Sequence, residues 1–164
     1  MAKAGIFFAE GYEEIEALTV VDLCRRAGVE IQMISVTGEG SVAGSHGICV
    51  KMNALLTEVD FGQLDMLILP GGMPGTRNLE GCAPLMEELD RFYAAGKWIA
   101  AICAAPSVFG HRGYLKGREA VCYPSFEGEL TGATVLSEAA VADGNVITGR
   151  GMGCSPKKSS PLKS

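Results

Sequence analysis

An α/β sandwich over a largely parallel sheet is the fold class this sequence predicts, and three observations predict it. Short apolar runs at residues 3–8, 65–69 and 97–102 have the length of strands buried on both faces. Residues 13–27 carry Ile15, Leu18, Val21, Leu23 and Cys24 at approximate helical spacing. Residues 84–95 read as a second helix, so that strand and helix alternate along the chain.

Taken in order, the run 3–8 is closed by Ala9-Glu10-Gly11, too short for a helix and suited to a central strand. The helix over 13–27 ends at Arg25-Arg26 and Gly28, basic residues and a glycine being C-terminal signals. Residues 29–36 give the second strand, and the alternation over 46–56 predicts a short strand or hairpin arm on the sheet edge. The strand at 65–69 stops at Pro70-Gly71-Gly72, where proline blocks continuation and two glycines allow a sharp turn and close backbone approach. Pro84 is acceptable in a first helical turn. A strand at 97–102, a helix at 104–111 and a short strand at 119–122 follow. Late strands are expected at 134–136, 140–141 and 145–148, with Asp143-Gly144 as a hairpin turn.

The 164 residues, 48% hydrophobic and 20% charged with 22 glycines, suit one domain whose elements are joined by tight turns. A net charge of −5 argues against a nucleic-acid-binding surface. Glu10 comes too early for a signal-peptide core and no apolar run spans a bilayer, so a cytoplasmic location with no membrane partner is expected. Cys24, Cys49, Cys82, Cys103, Cys122 and Cys154 form no CxxC pair and no zinc-ligand spacing, and there are two histidines, so no metal is expected. Gly149 to Gly153 follows the last strand without a helix or an acidic partner after it, which discounts nucleotide binding.

Strand ends at Ala9, Leu69 and Ile102 are expected along one carboxyl edge, where open α/β sheets place their sites. Three segments converge there: residues 10–16, residues 70–75, and Cys103 with the amides that follow it. A cysteine carried from an apolar strand onto a helix start is a candidate nucleophile, the helix amides and dipole lowering its reference pKa of about 8.5 by one or more units. Burial would keep Glu16 protonated beside a thiolate, able to donate a hydrogen bond to it. Gly71-Gly72 can aim N–H groups, joined by the Ala104 amide, at an oxygen on the attacked carbon. Ala101, Ala104 and Ala105 supply the small neighbours that a sharp strand-to-helix elbow needs, although the glycine pattern of the serine version is absent. His111 lies eight residues on, roughly 12 Å along a helix axis, and His46 sits in a Gly/Ser-rich surface turn. Glu14 reads as an acid in a first helical turn.

On Ala9-Glu10-Gly11-Tyr12-Glu13-Glu14-Ile15-Glu16, residues 22–28, Leu69-Pro70-Gly71-Gly72, residues 100–106 and Thr148-Gly149-Arg150-Gly151, the chain resembles the ThiJ/PfpI superfamily, in its DJ-one branch. The resemblance covers roughly residues 3 to 153 as a single domain. It implies a flavodoxin-like, three-layer sandwich akin to class I glutamine amidotransferases, and a homodimer. It implies a reactive Cys103 with its carboxyl partner Glu16, Glu13 as a second acidic position, and oxyanion-type amides at Gly72 and Ala104. Gly71 and Tyr123 would line the pocket, Tyr123 standing where relatives often have histidine, and Ala104 follows the cysteine where the protease-like branch has histidine.

The implied activity is that of a cofactor-independent glyoxalase or deglycase acting on glyoxal, methylglyoxal and their early adducts with amines and thiols. The alternative is a redox-sensing stress protein or chaperone that uses an oxidisable cysteine. After Gly153, relatives continue into a long amphipathic helix, whereas residues 154–164 offer one large apolar residue and two prolines. Absence of that helix, a divergent disordered tail and low thermal stability are therefore expected, with a truncated, inactive relative as the third reading.

Overall fold

The structure, a computed structural model, describes residues 2–151. Strand β1 (Lys3–Phe8) is central, and helix α1 (Glu14–Arg26) follows it, capped by Glu13, whose side chain accepts from the Ile15 amide at 3.3 Å. Strand β2 (Glu30–Ser35) returns parallel to β1. Strands β3 (Ser41–Ala43), β4 (Cys49–Lys51) and β5 (Ala54–Leu55) precede β6 (Met66–Leu69). Helices α2 (Gly75–Glu80) and α3 (Ala83–Ala94), strand β7 (Trp98–Ile102) and helix α4 (Pro106–His111) complete the middle of the chain. Strands β8 (Glu119–Ala120), β9 (Thr134–Val135), β10 (Ala140–Asp143) and β11 (Val146–Gly149) come last.

The main sheet runs β10-β11-β7-β6-β1-β2-β5, and all its pairings are parallel except the β10/β11 hairpin. Alternate residues of each central strand feed opposite cores, as a pleat requires. Phe7, Leu67, Leu69, Ile99 and Ala101 pack with α2, α3 and α4 through Leu79, Leu85, Leu89 and Phe109. Ile6, Phe8, Ile68 and Ala100 pack on the other face with Ala17 and Val21 of α1. The result is the flavodoxin-like, three-layer α/β architecture, and no described helix is long and apolar enough to cross a membrane.

The structure departs from the sequence-based expectation at four places. The segment 46–56 is not one edge strand: β4 pairs with β3 in a separate ribbon, and β5 alone reaches the sheet. Asn53 makes that break, its backbone N–H donating to the Met33 carbonyl and its side-chain oxygen accepting from the Met33 N–H, each at 2.8 Å. Helix α2 was not expected, because a six-residue helix opening on Gly75 after Pro74 has no apolar period to read. Helix α4 begins at Pro106 rather than at residue 104. Strand β8 stops at Ala120, short of the expected 119–122, and pairs with β9 away from the main sheet. The expectations for residues 154–164 and for a C-terminal helix lie outside the described residues.

Candidate active site

The carboxyl ends of β1, β6 and β7 stand side by side, and the turns that leave them meet around Cys103. Cys103 adopts φ 63, a left-handed conformation that non-glycine residues seldom take and that costs about 1–3 kcal/mol. Hydrogen bonds on both sides hold it there: its N–H donates to the Gly149 carbonyl at 2.9 Å, and its carbonyl accepts from the Tyr123 N–H at 2.8 Å. The cysteine therefore projects from a pinned elbow at the top of the sheet.

Two glycines wall the thiol. A Cβ at Gly71 would press on Cys103 Cβ and would stand 2.5 Å from Glu16 Oε1 and 2.9 Å from the Ile102 carbonyl. A Cβ at Gly151 would stand 2.5 Å from Glu16 Oε2 and 2.7 Å from Cys103 Cβ. Gly72, at φ 98, lies against the backbone of Tyr12 and Glu13, and Glu13 N–H donates to the Gly71 carbonyl at 2.9 Å. Thus Gly71, Gly72, Cys103, Ala104 and Glu16 come together in space. Glu16 is buried, at 6% exposure.

The charge state of the thiol departs from expectation. Burial pushes Cys103 up to about 12, aided by the charge of Glu16 and by its side-chain hydrogen bond, while the amides of Ala104 and Gly72 pull it down. Burial and Glu16 outweigh the depression expected of a helix start, and α4 opens only at Pro106, three residues beyond the sulfur. The upward push from Glu16 acts only while its carboxylate is charged. With the pair's single proton on Glu16, the like-charge repulsion vanishes, the hydrogen bond favours the thiolate, and the two amides act unopposed by that charge.

Glu13 is buried at the N-cap of α1, with its other oxygen 3.8 Å from His46 Nδ1. Its side chain is thus shared between a helix cap and His46. Tyr123 touches the elbow through its backbone, and the residue is 41% exposed.

Glu14 is more than an acid in a first turn. Its carboxylate accepts from the His46 N–H at 2.9 Å, the Ile48 N–H at 3.2 Å and His46 Nδ1 at 3.0 Å, tying the turn around residues 44–48 to α1. Among the described residues, Glu13, Glu14 and His46 have donor atoms within 4.8 Å of one another, close enough for a metal ion, but backbone N–H groups already occupy the Glu14 oxygens.

Burial raises Glu14, yet hydrogen bonds from the His46 side chain and from backbone amides outweigh it and bring the carboxyl down from 4.5 to about 2. A folded-state value below the unfolded one stabilises fully above pH 4.5, and that stabilisation is lost as the pH falls toward 2. Thermal midpoints recorded across this window should drop, and Glu14→Gln should flatten the slope. Identical slopes in both proteins would contradict this role.

Gly151 is the site residue that sequence reasoning missed. Its signal was the glycine pair flanking Arg150 just beyond a strand, the same close-approach grammar as Gly71-Gly72.

Comparison with known proteins places this geometry in context. The model of the DJ-1/PfpI family matches residues 2–158. Protein DJ-1 homolog B of Arabidopsis thaliana is 37% identical over 153 residues, 92% of this chain, which spans 35% of that longer relative. A deglycase of Pyrococcus abyssi is 28% identical over 88% of this chain and 87% of its own length. The structure of oxidised DJ-1 from Toxoplasma gondii superposes with a TM-score of 0.87 at 36% identity, covering 92% of this chain and 83% of that one.

Proposed function

The chain belongs to the DJ-1/PfpI family, and from that premise we propose that it is a cofactor-independent, cysteine-dependent enzyme acting on glyoxal, methylglyoxal and their early adducts. The observation that carries this reading is the pinned left-handed Cys103 with Glu16 beside it and the Gly72 and Ala104 amides on its sulfur. The name of the Pyrococcus abyssi deglycase supports the substrate class.

In the proposed reaction the Cys103 thiolate adds to the aldehyde carbon of methylglyoxal, and the oxygen that becomes negative is met by the two amides. Glu16 supplies the proton that converts this adduct to a hemithioacetal. As carboxylate, it then removes the proton from the former aldehyde carbon, giving an enediol, and returns it to the neighbouring carbon. The former aldehyde carbon is oxidised to a thioester while its neighbour is reduced to an alcohol, so no external oxidant is needed. Water cleaves the thioester, releasing lactate and restoring the thiol. Purified protein incubated with methylglyoxal should form lactate, read by an enzymatic end-point assay against protein-free buffer; none above that blank would eliminate the reading.

A homodimer is part of the same proposal. Ile15 on α1 and Ile48, on the turn tied to Glu14, are 60% and 54% exposed and line one surface depression with Leu18, an apolar patch suited to a second copy. Sedimentation velocity at micromolar concentration should show the dimer mass, and a single monomeric species would refute it.

A further inference from the structure

Helix α2 reaches both residues whose amides face the sulfur. Thr76 Oγ1 donates to the Gly72 carbonyl at 2.8 Å, and the Thr76 N–H donates to the same oxygen at 2.9 Å. The next residue, Arg77, donates from Nη2 to Ser107 Oγ at 2.8 Å, and Ser107 Oγ donates onward to the Ala104 carbonyl at 2.6 Å. Thr76 and Ser107 are fully buried. The guanidinium is itself fixed by Glu80 at 2.5 Å and Glu129 at 3.2 Å, and His111 bridges those two carboxylates at 2.5 and 2.9 Å.

Serine and threonine hydroxyls often bond back to their own helix, so either contact alone would be ordinary. Here the two acceptors belong to Gly72 and Ala104, on separate turns, and neighbouring residues of one short helix serve both. A carbonyl held from one side fixes ψ of its residue, and with φ set by the turn the N–H on the other side keeps its aim. The Arg77 charge also polarises the Ser107 hydroxyl, strengthening its bond to Ala104.

We propose that Thr76, Arg77 and Ser107 are positioning residues that hold the Gly72 and Ala104 amides on the reacting centre. Their effect on turnover rests on Cys103 acting as proposed above, whereas their effect on the thiol can be read without turnover.

The test uses the full chain with Thr76→Val and Ser107→Ala, which remove one hydroxyl each, and Thr76→Ser and Ser107→Thr, which keep it. Alkylation of Cys103 by iodoacetamide, followed by mass spectrometry of its peptide across pH, reads the thiol directly. The midpoint should rise by about half a unit to one unit in the removal variants, because the donors that favour the thiolate are loosened. The kcat on methylglyoxal should fall about tenfold with KM little moved. Both effects should revert in the hydroxyl-keeping variants. Unchanged midpoints in both folded removal variants overturn the proposal, as does a Ser107→Thr protein that behaves like Ser107→Ala. If the parent protein forms no lactate, the functional reading falls and the alkylation midpoints still decide the positioning role.

Discussion

Cys103→Ser is expected to lower lactate formation from methylglyoxal by about a thousandfold or more, as loss of a covalent nucleophile does. A serine hydroxyl at this elbow has no histidine to activate it. His46 is held by Glu14, and His111 by Glu80 and Glu129, so neither histidine is available to the centre of the site. The amides of Gly72 and Ala104 can stabilise a thiolate, but they cannot bring an alcohol within reach of ionisation at neutral pH. Serine is close to cysteine in size, so the melting temperature should stay near that of the parent. Activity above about a tenth of the parent's, in a folded variant, would remove Cys103 from the chemistry.

Gly71→Ala is expected to be nearly as damaging by a different route. The added methyl would meet Cys103 Cβ, a Glu16 oxygen and the Ile102 carbonyl at once, and two of these three belong to backbone or sit one bond from it. They cannot swing aside as the end of a long side chain would. Overpacking of this kind costs about 1–3 kcal/mol, which lowers the midpoint of a chain of this size by about 2–4 °C per kcal/mol. The displacement falls on the nucleophile and its proton partner together, so kcat/KM should drop about a hundredfold. Steady-state kinetics with a parallel melt checks both numbers, and a Gly71→Ala protein with parental turnover and melting would show that the wall can yield.

What could be read in advance follows from which forces act locally. Strands β1, β6 and β7 are buried on both faces, so they are written as unbroken apolar runs, and their ends place the site edge. Glu16 and the Gly71-Gly72 turn were legible because chain order and glycine spacing carry their geometry. Helix α2 was not, since its six residues form by packing Leu79 into the core and by the bonds of Thr76 and Arg77, none of which leaves a period in the sequence. The left-handed φ of Cys103 was equally silent, because no local preference of cysteine announces it and the Gly149 and Tyr123 contacts that impose it come from distant segments. The charge state of the thiol failed for a related reason: burial is a property of the assembled site, and it outweighs a helix end that lies too far along the chain.

The pairing of Gly149 with Ile102, and of Leu69 with Ala101, brings Gly151 and Gly71 to the two sides of Cys103. Were β11 to dock one residue out of step, Arg150 would be driven into the space that now admits only a hydrogen, and the neighbouring side chains would exchange faces. A misassembled sheet would thus be chemically silent even if compact. Turnover per molecule, divided by the fraction of soluble protein, is therefore a gauge of correct strand alignment, sensitive to errors that circular dichroism would pass unnoticed.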